Sequence, residues 1–345
     1  MLLIRTAALL RGPVLARFVA PVLALALAAC AGGPPAPRPW AETATRELQL
    51  AVTRLEVLGR PVTLTRPQSA GGALPVIVYL PGLGQGGDAG QRWAAAWAQA
   101  GYAVLGVQPL AEDETAWRSA LARTGEFRAL GELHYGPALR AERLSALRRV
   151  LPALQASPPL AGVALDWQRA AVAGYEIGAQ TALDLGGASE GWAPRAVLAI
   201  SPPPMDAPGP TPALVITSDT DGDALGLVRE PAQRRRAFEQ RPPGSAWLLS
   251  APGLSHAALS GTLAPEGWHE QDLHRGREAS VPVAMDQRGQ GYRGPAGGVP
   301  RGPRSGSATE AALADLREVT RLSTAFLDAQ LRGAALPPSP LLTAR

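Results

Sequence analysis

The sequence predicts an α/β protein with a mostly parallel central sheet and helices on both of its faces. Three observations carry this. Short continuous apolar runs such as LPVIVYL (74–80) recur along the chain, the mark of strands covered on both sides. Segments with helical apolar spacing lie between them. The two kinds alternate, and alternating strands and helices wind into a parallel sheet through right-handed crossovers.

The elements follow in order. Over 1–29, Arg5, Arg11 and Arg17 precede the apolar run FVAPVLALALAAC. That run falls short of the roughly 20 residues a spanning helix needs, so it reads as a secretory signal. The chain's one cysteine, Cys30, closes Leu27-Ala28-Ala29-Cys30. Residues 30–46 form a Pro/Gly-rich tether. A core domain over 47–261 follows. LQLAVTRLEV and PVTLTRP alternate apolar and polar residues, as two half-buried strands do around a turn at Gly59. After LPVIVYL comes the loop PGLGQGG (81–87), a helix in AGQRWAAAWAQAG stopped by Gly101, and the buried strand YAVLGV.

Residues 111–160 read as mostly helical, with Leu144, Leu147, Val150, Leu151 and Leu154 on one stripe. Pro152 is expected to kink or break that helix. RAAVAG (169–174), RAVLAI (195–200), PALVITS (212–218) and SAWLLS (245–250) complete the buried strands. Residues 262–307, rich in Gly, Pro and Arg, are expected to be a disordered insertion. A C-terminal helix of the same domain spans 308–334, preceded by the capping pattern Ser307-x-x-Glu310. Its stripe of Leu316, Val319, Leu322 and Phe326 should face the sheet. Residues 335–345 read as a tail.

Charge excludes some functions. The chain carries 33 basic and 29 acidic residues, and every basic residue is Arg. From position 31 onward 30 basic residues face 29 acidic ones, and no basic face is clustered, so nucleic acid is not an expected partner. The run RRRAF (234–238) reads as a solvated helix face. His134, His269 and His274 lack metal-ligand spacing, so neither a metal nor a cofactor is expected. With Cys30 alone, no intrachain disulfide forms. Trp93, Trp97 and Trp117 read as core or pocket wall.

The chemistry lies in RAAVAGYEIGAQTALDLGG (169–187): a strand, a sharp turn and a helix. Gly174-Tyr175-Glu176-Ile177-Gly178 occupies the G-x-S-x-G pattern, the tight turn that pushes one side chain out above a sheet, with Glu in the place of Ser. The glycines are needed because strand and helix approach closely. This region resembles the α/β-hydrolase superfamily, and within it the dienelactone hydrolase and platelet-activating-factor acetylhydrolase-like esterases, over roughly 50–260 and the last helix. The resemblance implies the chain order nucleophile, acid, histidine. Asp221 in SDTDGD matches the acid, with Asp219 and Asp223 as rivals. His256 in APGLSHAALSG matches the histidine. PGLGQGG resembles the oxyanion loop, so the backbone N–H groups of Leu83 and Ile177 would point at one oxygen. Separately, Leu27–Cys30 resembles the lipobox of bacterial lipoproteins. That implies a lipidated Cys30, membrane anchoring, and an exported protein of the cell envelope, facing the periplasm or in the outer membrane.

Ester hydrolysis at such a turn uses Ser or Cys activated by His. Glu176 is already an anion, and three roles stay open for it. In haloalkane dehalogenases and epoxide hydrolases, a carboxylate here attacks an sp3 carbon and His then activates water. Those enzymes carry Asp, one methylene shorter, and the dehalogenases commonly follow it with Trp where this chain has Ile177. Alternatively the anion hole holds Glu176 itself, and His256 between two carboxylates becomes imidazolium, a satisfied cluster in a non-catalytic ligand-binding or interaction protein. Thirdly, Glu176 acts as general base on water. Substitute nucleophiles Ser201 and Ser255 lie at the wrong strand end or loop. The expected function is a membrane-tethered hydrolase of small ester-like or related substrates, the alternative an inactive relative. Any lid comes from 111–140 or the insertion.

Overall fold

The computed structural model describes residues 48–156, 160–188, 191–207, 209–262 and 306–345, without the side chains of 306–313. The signal, Cys30, the tether and residues 263–305 lie outside what it describes, as do the side chains of the expected Ser307/Glu310 cap.

The described chain is α/β. Nine strands form one sheet in the order β1-β2-β4-β3-β5-β6-β7-β8-β9. They are β1 (Leu50–Val57), β2 (Arg60–Pro67), β3 (Leu74–Leu80), β4 (Ala103–Val107), β5 (Leu165–Tyr175), β6 (Ala196–Ile200), β7 (Ala213–Thr217), β8 (Ala246–Ser250) and β9 (Leu342–Ala344). Strands β3 to β8 run parallel; β1–β2, β2–β4 and β8–β9 pair antiparallel. The β1–β2 hairpin turns on Leu58 and Gly59, both at positive φ, a conformation that suits the twist of the ribbon.

Six helices matter for the site: α1 (Gln91–Gln99), α2 (Phe127–His134), α3 (Pro137–Ala156), α4 (Ile177–Gly187), α5 (His256–Leu259) and α6 (Gly306–Arg332). Both sheet faces are covered. On one face Val76, Val78 and Val172 pack with Leu147, Leu151 and Leu154 of α3 and Ala179 and Leu183 of α4. On the other Ile77, Tyr79 and Ala173 pack with Trp93 and Trp97 of α1 and Leu322 and Phe326 of α6. Every residue of β3 is therefore buried, which is why that strand reads as an unbroken apolar run.

The expected tail is corrected, and of the kink or break expected at Pro152 the break is. Pro152 does not break α3, which runs on to Ala156. The proline removes the bond to the carbonyl four residues earlier, but Arg148 and Pro152 both lie on the exposed side, where water takes over, and Leu151 and Leu154 stay buried. The segment read as a tail ends in β9, which covers the outer edge of β8 through bonds such as Ser250 N–H to the Leu341 carbonyl, 2.8 Å. Three residues behind prolines are too few to show a strand period.

Strand order fixes where a site belongs. The chain leaves β3 to build β4 on one side, then returns to build β5 on the other. At such a switch point the loops after neighbouring strands diverge and open a crevice at their carboxyl ends.

Candidate active site

The site's side chains come from the carboxyl ends of β3, β5, β7 and β8. Glu176 occupies the turn between β5 and α4, at φ 53 and ψ −114. This is strained backbone for a residue with a side chain, on the order of 1–3 kcal/mol, and it persists only where its surroundings enforce it. They do so here by close packing. A Cβ at Gly174 would collide with the Gly178 carbonyl, and one at Gly178 with the Leu80 carbonyl. The Glu176 N–H is tied to the Ile200 carbonyl of β6 at 3.0 Å. The side chain is thereby aimed over the sheet rather than along the helix.

Both carboxylate oxygens are engaged. Oε2 accepts the backbone N–H of Leu83, in the loop after β3, at 3.3 Å. Oε1 meets Nε2 of His256, at the start of α5. Gly82 makes room for this, since a Cβ there would stand 2.7 Å from Oε2. Ile177, the other expected donor, is buried as the first residue of α4. Nδ1 of His256 lies 2.6 Å from Oδ1 of Asp221, in the loop after β7. Oδ2 of Asp221 accepts the Thr217 hydroxyl at 2.8 Å. The Tyr175 hydroxyl donates to the His256 carbonyl at 2.8 Å, and the two rings lie 5.2 Å apart. Asp221 is wholly buried, whereas Glu176 and His256 keep 10% and 11% of their side-chain surface open.

Among the three aspartates, geometry singles out Asp221. Asp219 accepts the Gly253 N–H at 2.9 Å, and Asp223 ties down its own loop through the N–H groups of Leu225, Leu227 and Val228. Ser255 caps α5 through the Ala258 N–H at 3.2 Å. Ser201 follows β6 and is fully buried.

No protein-family model and no curated protein matches the chain. The site therefore rests on its own geometry.

One expectation for the run RRRAF is corrected. Arg234 is not on a solvated face. It lies 3% exposed in the 3-10 turn Pro231–Arg235, with Nε 3.2 Å from Oδ1 of Asp221. Only its neighbours Arg235 and Arg236 reach solvent. Among groups not singled out in the sequence, Tyr135 also belongs here. Burial pushes its phenol well above the usual range, and the Glu176 charge pushes the same way. The His256 imidazole has opposing influences. Burial lowers its pKa most, but the Glu176 charge and hydrogen bonds to Asp221 and Glu176 raise it, Arg234 lowers it, and the net direction is upward. That direction favours the imidazolium form of His256 between the two carboxylates.

The roof over Glu176 is apolar. Leu83 and Ile177 cluster with Ala116, Ala122, Leu130 and Leu225, flanked by Trp117, Phe127 and Tyr135. The short helices of 111–135 thus lie over the site. The Trp117 indole N–H donates to the Leu83 carbonyl at 3.0 Å, steadying the loop that reaches Glu176. Trp93 and Trp97 are core. Asp113, His134 and Arg143 form a second buried cluster that joins these helices to α3: Asp113 Oδ1 lies 2.7 Å from His134 Nδ1, and Oδ2 accepts Arg143 Nε at 2.7 Å. A separate groove of about 320 Å³ lies between α1 and the β1–β2 hairpin, lined by Val52, Thr65, Tyr79 and Ala94, and does not include Glu176 or His256. Among the described residues no cluster has metal-ligand geometry.

Proposed function

We propose that this is a lipid-anchored protein of the α/β-hydrolase superfamily, resembling dienelactone hydrolase-like esterases, in which Glu176 is the nucleophile of a hydrolase for small substrates. The observation that carries this reading is the strained Glu176 turn, with one carboxylate oxygen on the Leu83 N–H and the other on His256. Strain held in place by two glycines serves to present a side chain, and a carboxylate presented beside an imidazolium can do displacement chemistry.

The carboxylate narrows the substrate. Added to an ester carbonyl, it would have to expel an alkoxide far more basic than itself, so that adduct collapses backwards. At a saturated carbon bearing a leaving group the displacement runs forward. A strained cyclic ether fits best. Oε1 of Glu176 bonds to the carbon, the carbon–oxygen bond breaks with its electron pair, and the freed oxygen takes the Nε2 proton of His256. Glu176 is now a neutral ester, so the main charge holding His256 protonated is gone. Neutral His256 takes a proton from water, and the hydroxide adds to Cδ of Glu176. The negative charge gathers on Oε2, against the Leu83 N–H. The ester C–O bond then breaks, and the departing alkoxide takes the proton of the new carboxyl group. Carboxylate and imidazolium are both restored.

One observation favours a second reading, a non-catalytic binding protein: both oxygens of Glu176 are already occupied in the resting site. Protein starting at residue 31, assayed against esters, epoxides and haloalkanes, separates the two. Turnover lost in Glu176→Gln supports the hydrolase. An inert wild type, with esterase activity appearing in Glu176→Ser, supports the binding protein. The anchor is tested in the full chain: Cys30→Ser should move the protein out of the membrane fraction, and an unchanged distribution would remove the anchor.

A further inference from the structure

The geometry points to Arg234 as a positioning residue that acts through Asp221, matching its charge so that the charge of His256 follows that of Glu176.

Arg234 is held at five points. Nε donates to the Asp221 carbonyl at 3.0 Å and lies 3.2 Å from Asp221 Oδ1. Nη1 donates to the carbonyls of Ser201 and Pro202 at 2.7 and 3.1 Å, and Nη2 to that of Gly222 at 3.0 Å. These acceptors belong to the loops after β6 and β7, so the guanidinium pins together the two strand ends beside Glu176. Burying a permanent cation is costly unless a specific anion offsets it, and Asp221 is that anion.

The sharing has a consequence. Oδ1 of Asp221 faces both Arg234 Nε and His256 Nδ1, and Arg234 Nη2 lies 3.5 Å from that same Nδ1. The groups facing His256 are Glu176 from the β5–α4 turn, Asp221 from the loop after β7, Arg234 from the 3-10 turn and the Tyr175 ring. With His256 as imidazolium, charge alternates along the row Glu176, His256, Asp221, Arg234. Once Glu176 is esterified, His256 is left beside one carboxylate that Arg234 already matches. It then gives up its proton at the moment a base is needed. With no cation at position 234, Asp221 alone would keep the imidazolium charged.

This deepens the nucleophile reading of the same site and rests on it for its kinetic meaning, but its test needs no turnover. Nitrogen-15 histidine NMR on protein starting at residue 31 reads the His256 titration, with Glu176→Gln standing in for the neutral ester. In Glu176→Gln the midpoint should fall by about one pH unit or more from wild type. Adding Arg234→Gln should raise it again by about one unit. Adding Arg234→Lys, which keeps the charge without the fork, should leave it near the Glu176→Gln value. An unmoved midpoint on adding Arg234→Gln overturns the proposal. Should that variant not fold, a midpoint raised in the Arg234→Lys protein overturns it equally. Absence of turnover with every substrate would sink the hydrolase and leave these shifts unchanged.

Discussion

The backbone N–H of Leu83 donates to Oε2 of Glu176 across 93 residues of sequence, at 3.3 Å. The donor that would steady a developing oxyanion holds the side chain itself. In the resting site that is a clamp. In an ester of Glu176 the same contact would fall on the atom that becomes negative when water adds to Cδ.

The clamp makes side-chain length decisive. Glu176→Asp withdraws the carboxylate by about 1–1.5 Å, enough to lose Leu83 and His256 together, and should lower turnover about 100-fold. Glu176→Gln keeps the shape without the anion and should abolish it. Steady-state rates on an epoxide substrate check both. Equal activity in the two variants would contradict the account.

Stability should depend on pH through His256. Its pKa is raised in the folded protein, so its contribution is complete below the ordinary value of about 6.5 and is lost as pH rises through the raised value. Urea unfolding compared at about pH 6 and about pH 9 should show the midpoint falling, and Glu176→Gln should flatten that fall. A wild-type midpoint that rises over this window contradicts the imidazolium assignment.

The turn itself can be tested by crowding. Gly178→Ala forces a methyl group into the Leu80 carbonyl and should destabilise by about 1–3 kcal/mol. Gly72→Ala, where nothing lies within 4 Å of the added carbon, is the control and should be nearly neutral. Equal effects in denaturant titration would argue against close strand–helix contact.

The helices over the site depend on a buried charge. Asp113→Ala leaves Arg143, itself 1% exposed, without its carboxylate and should cost about 3–5 kcal/mol. Hydrogen exchange should quicken first in α2 and the segment 111–123. Loss of protection spread evenly over β3 and β5 would place the cluster's role elsewhere.

Much of this architecture is legible in the sequence, and the exceptions are instructive. Strands β3, β4, β6, β7 and β8 and the second half of β5 are short apolar runs because both sheet faces are covered, so each stands out. Glu176 is visible because glycines two residues to either side mark a turn that only close packing demands. Asp221 and His256 follow from the chain order that the resemblance implies, although only the tertiary fold separates Asp221 from Asp219 and Asp223. Arg234 is not legible because the three successive arginines span the junction of a 3-10 turn and a short helix, and no apolar period reports which one turns inward. Strand β9 was hidden because three residues carry no period. Pro152 misled because the cost of its missing N–H depends on whether water reaches the orphaned carbonyl. Tyr135 and the Asp113–His134–Arg143 cluster join segments that only the tertiary fold brings together.

Single turnover in heavy-oxygen water tests the central claim most directly. Protein starting at residue 31, in excess over an epoxide or haloalkane substrate, is digested and the peptide bearing Glu176 is weighed. If Glu176 forms the ester and water attacks its Cδ, solvent oxygen enters the Glu176 carboxylate while the first product leaves unlabelled. Label found only in the product, with the Glu176 peptide unchanged in mass, would mean that water attacks the substrate directly and that Glu176 is not the nucleophile.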